Sequence, residues 1–255
     1  MLESLNTKVR EFWEKEPCGS SKIVTGDTEK FSLEFFEKIE KQRYRVEPYI
    51  HSCAQFTRHR GKKVLEVGVG AGTDHLQWAR AGAECFGVDL TEAAIKTNQK
   101  RLEAYHLSSQ LKRLDGEKLP YEDQSFDVVY SWGVIHHSEN PQLINNEIYR
   151  ELKKGGIFMG MLYGRRSLKT LKLWVKYALF AGKPWRSFKD VIWNHVESLG
   201  TKAYTVSELK QMFCQFAKVE INPILTQYDT DKIPKFLHKF FPDDWGFFIQ
   251  IRATK

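Results

Sequence analysis

Val64-Leu65-Glu66-Val67-Gly68-Val69-Gly70-Ala71-Gly72-Thr73-Asp74 reads as a buried strand that runs into a glycine turn and then a helix. Lys62 and Lys63 lead in, and Val64, Leu65 and Val67 form the apolar run of a parallel strand covered on both faces. Alternate glycines let the backbone turn tightly and approach a ligand closely. The helix that begins near Thr73 aims its unbonded N–H groups back at that ligand. A turn of this kind receives a nucleotide-like molecule.

Spacing narrows the choice. A dinucleotide fingerprint requires G-x-G-x-x-G, with its third glycine beside a pyrophosphate. Here the pattern is G-x-G-x-G, and Thr73 stands where that third glycine belongs. Glu66, just before the turn, is unwelcome beside phosphate but suits a cation or an amine. Asp89 ends a second apolar run, Cys85-Phe86-Gly87-Val88, where an acid can hold both hydroxyls of a ribose. A ribose, an amino group and no phosphate describe S-adenosylmethionine. The competing reading of Glu66 and Asp89 is a pair of surface or capping acids.

Further segments carry a resemblance. Glu66-Val-Gly-Val-Gly-Ala-Gly72, Gly87-Val-Asp89-Leu90, Asp115-Gly-Glu-Lys-Leu-Pro120, Phe126 to Pro141 and Leu152-Lys-Lys-Gly-Gly156 follow one another in order. Together they resemble the motifs of class I S-adenosylmethionine-dependent methyltransferases, in particular the bacterial enzymes that act on small molecules and quinols. The likeness covers about 60 to 165 and loosens outside. It implies an α/β, doubly wound, Rossmann-like sheet of seven strands with the last one antiparallel, and S-adenosyl-L-methionine as cofactor. Alternating strands near 63–67, 84–88, 111–114, 126–131 and 157–162, with helices near 73–81, 91–104 and 141–153, point the same way. Gly155-Gly156 is expected to cap the last of these helices. A helix near 205–214 and strands near 217–223 and 245–253 complete the sheet.

The expected organisation is a single domain over 1–255. Residues 1–57 form an N-terminal helical cap with helices over 4–16 and 31–57, residues 58–164 the cofactor-binding core, 165–203 a helical lid insertion and 204–255 the rest of the sheet. No run of about 18 apolar residues exists to span a bilayer. Met1-Leu-Glu-Ser-Leu-Asn-Thr lacks the basic start and apolar core of a signal peptide. Cys18, Cys53, Cys85 and Cys214 are scattered, which points to reduced thiols and a cytoplasmic setting and away from a zinc site or arsenite chemistry.

The resemblance assigns roles residue by residue. Glu66 and the turn (Gly68, Val69, Gly70, Gly72, Thr73, Asp74) take the methionine side, Asp89 and Leu90 the ribose, and Asp115, Gly116 and Glu117 the adenine. Tyr44, Ser131 and Trp132 join this cofactor shell. Asp115-Gly116 is also ordinary turn chemistry. His136 and His137 follow the fourth strand, where an imidazole can take a proton from a substrate hydroxyl or amine; either can equally serve to hold the loop. Tyr163 is a third catalytic candidate. Tyr49, His136, Tyr163, Arg165 and Trp193 are expected on the acceptor.

Residues 165–193 hold eight Lys and Arg against Asp190 alone, an excess equal to the whole chain's net +7. Leu168, Leu171, Trp174, Val175, Ala178 and Leu179 recur at helical spacing among them. Such a segment can cap a greasy substrate, lie on an anionic membrane or touch RNA. The preferred reading is methyl transfer to an O, N or C atom of a small, partly apolar metabolite. The alternative is a nucleic-acid-modifying methyltransferase. Against it, Ser131-Trp132-Gly133-Val134 replaces the Asn/Asp-Pro-Pro-Tyr tetrad used on base amino groups.

Overall fold

The computed structural model describes residues 4–231, 234, 236, 241, 242 and 244–255. Seven strands form one sheet in the order β3-β2-β1-β4-β5-β7-β6. These are β1 (Lys63–Val67), β2 (Glu84–Asp89), β3 (Gln110–Arg113), β4 (Phe126–Trp132), β5 (Leu152–Tyr163), β6 (Lys218–Ile224) and β7 (Phe248–Thr254). β1 through β5 pair in parallel, and β7 runs antiparallel between β5 and β6. The order reverses beside β1, so the carboxyl ends of β1 and β4 open a crevice where ligands bind in open α/β sheets.

Helices cover both faces. α5 (Thr73–Arg80) and α6 (Glu92–Ala104) connect the first strands, and α7 (Pro141–Glu151) connects β4 to β5. One core layer gathers Leu76, Trp78, Val128, Tyr130 and Met159, and the other Leu65, Val129, Ile148, Phe158 and Phe213. Alternation of side chains along each strand sends neighbours to opposite layers.

The N-terminal region is a strap. Ser4 caps α1 (Leu5–Glu14) by accepting from the Thr7 amide. The Glu14 carboxylate at its far end accepts from the amides of Glu92 and Ala93 at the start of α6, where a negative charge suits the helix dipole. α2 (Lys22–Thr25) and α3 (Leu33–Val46) follow. The continuous helix expected over 31–57 is three pieces, because Pro48 lacks an amide proton and disfavours helix in Glu47 before it. The pieces are α3, α4 (Ile50–Ala54) and a single 3-10 turn, Phe56–His59.

Gly155-Gly156 does not cap α7. That helix stops at Glu151, and Leu152 is already extended and paired with Phe126. Gly155 (φ +74°) lies inside β5, where the register to β4 shifts and its amide bonds the Lys255 carbonyl. The last strand starts at Phe248 rather than near 245, after α11 (Gln227–Thr230).

The lid leaves the sheet at Gly164 and returns at Tyr204, and these two residues form a parallel bridge. Between them α8 (Leu168–Trp174) continues into a π-helical turn, Val175–Leu179, and α9 (Phe188–His195) packs back against it. Trp174 Nε1 donates to the Arg186 carbonyl at 2.7 Å and ties the hairpin. α10 (Val206–Met212) then precedes β6.

Candidate active site

A cavity of about 540 Å³ lies at the carboxyl ends of the central strands. One end is walled by Glu66, the glycine turn, Asp89-Leu90-Thr91 and Leu114-Asp115-Gly116. The other is walled by Trp132, Met161, Tyr163, Leu173, Val196, Tyr228, Phe247 and Phe248. Asn6, Val9 and Trp13 of α1, Arg43 and Val46 of α3, and Glu47 just after it close the cavity from the N-terminal side.

The turn is built on left-handed backbone. Gly68, Gly70 and Gly72 all adopt positive φ, at +84°, +51° and +77°. At Gly70 a Cβ would meet nothing within 4 Å, so its backbone borders open space. At Gly72 a Cβ would sit 2.1 Å from Asn98 Oδ1, and Asn98 Nδ2 in turn donates to the Gly70 carbonyl. Asn98 therefore braces the turn from behind.

Each carboxylate has a defined environment. Asp89 Oδ2 accepts from the Gly70 amide at 3.0 Å, and Oδ1 accepts from the Thr91 amide and hydroxyl. Burial pushes its pKa up against those bonds. Asp115 Oδ1 accepts from the Glu117 amide, and Oδ2 accepts from Asn6 Nδ2 at 2.9 Å. An amide NH2 thus already occupies one oxygen of Asp115. Glu66 is buried against His75, and burial, with Asp74 and Asp89 nearby, raises its pKa well above the carboxylate range. Acceptors at three successive strand ends and an open glycine backbone fit an adenosyl group bearing an amine and a sulfonium.

Beside the turn lies a buried network. Asp74 accepts from Arg43 (2.8 Å), Tyr130 (2.9 Å) and Tyr44 (3.1 Å). Arg43 also donates to Glu47 at 2.7 Å, and Glu47 accepts from Trp132 Nε1 at 2.6 Å. Burial acts to lower the Arg43 pKa, but Asp74 and Glu47 raise it well above its ordinary value.

At the acceptor end, Tyr163 donates to both Glu197 oxygens, at 3.0 and 2.9 Å. His137 Nε2 lies 3.2 Å from the same carboxylate, and its Nδ1 lies 3.0 Å from Thr201 Oγ1 and from Ser198 Oγ. Burial pushes the Glu197 carboxyl up, and the His137 and Tyr163 hydrogen bonds more than offset it, so its pKa sits low. Glu197 holds φ +52°, a left-handed conformation costly for a side chain with a Cβ. His136, His137 and Glu197 place three potential ligand atoms within 4.8 Å of one another. Those of His137 and Glu197 are already spent on each other and on neighbours.

Of the residues expected from sequence, the cavity wall holds Glu66, Gly68, Val69, Gly70, Gly72, Thr73, Asp74, Asp89, Leu90, Asp115, Gly116, Trp132, His137 and Tyr163. Others stand elsewhere. Tyr44 lies behind the wall and spends its hydroxyl on Asp74. Glu117 is tied to Asn6, Ser138 and Asn140, and so links α1 to the loop after β4. Ser131 is buried and donates to the Val67 carbonyl. His136 is fully buried, stacks on Tyr163 at 3.8 Å between ring centroids and stays neutral, since burial drives its pKa far down. Tyr49 packs on Trp132 and Phe248. Arg165 pairs with Glu208, and Trp193 carries Lys202 over its ring outside the cavity. Arg43, Glu47, Trp13, Asn6 and Glu197 were missed. They lie far in sequence from the motifs, and only the folding of the strap and lid over the sheet brings them in.

Comparison with known proteins agrees with this geometry. A family model described as a methyltransferase domain matches residues 65–160. A sterol 24-C-methyltransferase of Gibberella zeae is 36% identical over 101 residues, covering 38% of this chain and 27% of the relative. A phthiotriol/phenolphthiotriol dimycocerosates methyltransferase of Mycobacterium ulcerans is 36% identical over 111 residues, covering 43% and 40%. The match thus spans less than half of these relatives' length. Among solved structures, the PH0226 protein of Pyrococcus horikoshii superposes with a TM-score of 0.60 at 16% identity, over 92% of this chain and 95% of that one. That likeness shows the fold. Taken together, the seven-stranded sheet, the ordered motifs and the family match show that residues 65–160 are a methyltransferase domain similar to those of class I S-adenosylmethionine-dependent enzymes.

Proposed function

We propose that this protein transfers a methyl group to an oxygen, nitrogen or carbon of a small, partly apolar metabolite. The supporting observation is the continuity of one cavity, whose carboxylate-lined end turns into an aromatic and aliphatic wall. When bound, S-adenosylmethionine supplies a methyl on a sulfonium, an electrophile that needs little acid catalysis. Glu66 and the glycine turn would hold its methionine side, Asp89 the ribose and Asp115 the adenine.

The remaining work falls to positioning and to one proton. Trp132, Met161, Tyr163, Leu173 and Phe248 exclude water and orient an apolar body, which supplies much of the acceleration in a two-body transfer. His137 faces the cavity with Nε2–H on Glu197 and the Nδ1 lone pair against Ser198 Oγ, so to accept a proton from an acceptor hydroxyl or amine it would exchange Ser198 for that group at Nδ1. Glu197 would favour the resulting imidazolium. The named substrates of the two relatives, a sterol and a lipid-linked phthiotriol, are apolar, which favours the same class here.

Calorimetric titration with S-adenosylmethionine, S-adenosylhomocysteine and NAD tests the proposal. Micromolar affinity for the first two and none for NAD is the expected result, followed by turnover on phenols, quinols or isoprenoids. Failure to bind either adenosyl compound would overturn it.

A further inference from the structure

The lid hairpin carries a feature that methyl transfer does not use. Its turn, Leu179-Phe180-Ala181-Gly182-Lys183-Pro184-Trp185, projects two aromatic rings into solvent. Apart from Ile23, Phe180 (81% exposed) and Trp185 (77%) are the most exposed large apolar side chains among the described residues. Leu179, Phe188 and Trp193 add partly exposed apolar area on the same hairpin. Leaving such groups wet is unfavourable, and their clustering marks a contact surface.

Charge specifies the contact. Of the eight cationic residues of 165–193, Arg165 and Lys189 pair with Glu208, Arg166 with Asp244 and Arg186 with Asp190, which leaves four lysines, Lys169, Lys172, Lys176 and Lys183, without an ion pair among the described residues. Lys176 and Lys183, next to the turn, make no ion pair among the described residues. Lysines beside exposed Trp and Phe are the composition of a segment that seats its rings at the headgroup level of an anionic bilayer. Phosphate recognition in RNA favours arginine forks, and the arginine nearest the turn has its guanidinium spent on Asp190, the Tyr177 carbonyl and His195.

From these observations we infer that the turn 179–186 docks the protein on anionic phospholipid membranes. The same insertion walls the cavity through Lys169, Leu173, Val196 and Glu197. A lid with its tip in the interface would bring the apolar end of the cavity towards acceptors dissolved in lipid. No helix among the described residues is long and apolar enough to cross a membrane, so the contact is peripheral.

The test is co-sedimentation of the whole protein with vesicles of phosphatidylcholine alone or with phosphatidylglycerol. Binding is expected to the anionic vesicles and to weaken with added salt. Each lysine near an anionic surface strengthens binding roughly 5-fold, so the K176E/K183E variant should lose at least about 25-fold. A second variant, F180S/W185S, should lose a similar amount while keeping its S-adenosylmethionine affinity, which shows that it has folded. No binding to anionic vesicles, undiminished binding by either variant relative to the parent protein, or binding to single-stranded RNA in place of vesicles would each overturn the inference. Because vesicle binding is read apart from cofactor titration, its failure is distinguishable from failure of the proposed function.

Discussion

His75 Nδ1 lies 3.0 Å from Glu66 Oε2, and both side chains are buried. His75 Nε2 is 2.8 Å from Ser109 Oγ, whose own proton goes to the Cys85 carbonyl. Ser109 therefore accepts from an Nε2–H, Nδ1 carries the lone pair, and Glu66 supplies the proton between them. Burial agrees with this arrangement, since it lowers the His75 pKa to about 4 and raises that of Glu66. The pair is neutral until a cation beside Glu66 draws off its proton.

A pH dependence of stability follows. Folded Glu66 keeps a proton that the unfolded chain releases near 4.5. Its contribution is full below that value and is lost as pH rises through the folded pKa. His75 has the opposite sign, but its window closes by pH 6.5. From pH 4.5 up to the folded pKa of Glu66, then, E66Q should gain on the parent protein as pH rises. Thermal melts of both proteins from pH 5 to 9 read this directly, and a constant offset over the whole range would remove Glu66 from the account.

Asp89 is expected to matter chiefly for the cofactor. D89A should weaken S-adenosylmethionine binding by about 1–3 kcal/mol, the cost of leaving polar groups unmatched. It also frees the Gly70 amide, so part of the loss comes from a looser turn. Calorimetry decides, and unchanged affinity would place the ribose elsewhere.

Much of the polar end of this cavity was legible in the sequence because it is local. Glu66, Gly70, Asp89 and Asp115 sit at strand ends, and a strand end followed by a turn has its own composition. The apolar end was legible only in part. Trp13, Glu47 and Glu197 reach it through contacts with residues distant in sequence, His137 for Trp13, Trp132 for Glu47, and His137 and Tyr163 for Glu197, which no periodicity encodes. Arg165 and Trp193 misled for the same reason. Both lie on the lid, but Arg165 is drawn off by Glu208 and Trp193 faces outward. His136 and His137 are adjacent in sequence, and a 3-10 turn sends one into the core and the other to the cavity.

Two alanine substitutions in the glycine turn should separate bracing from contact. In G70A the new Cβ meets nothing, so folding suffers only the left-handed penalty of about 1–2 kcal/mol. The methyl would project into ligand space and cut cofactor affinity more than its stability cost suggests. In G72A the Cβ collides with Asn98, so stability should fall further than in G70A. Urea titration of both variants checks the order, and equal stability would mean that Asn98 gives way freely.

Arg43 holds two buried carboxylates, Asp74 and Glu47. R43M should cost about 3–5 kcal/mol of folding stability, as when one partner of a buried ion pair is removed. Y44F removes one of the three donors to Asp74 and should cost no more than about 1.5 kcal/mol. Chemical denaturation of the two variants tests this ranking. Similar losses would mean that Asp74 depends on the phenol as much as on the guanidinium.

His137 is the residue on which the proton-transfer reading stands. H137A should lower kcat by about 10²–10⁴, the usual contribution of a positioned acid or base, with S-adenosylmethionine affinity within about twofold of the parent. E197Q leaves one oxygen to accept from Tyr163 and His137 and removes the carboxylate charge, so a smaller loss in kcat is expected. H136F separates chemistry from packing, because His136 offers the cavity no atom and only stacks on Tyr163. It should retain turnover if it folds. A fully active H137A would leave positioning alone to account for the rate, while an inactive H136F with intact cofactor binding would move the proton acceptor one residue back.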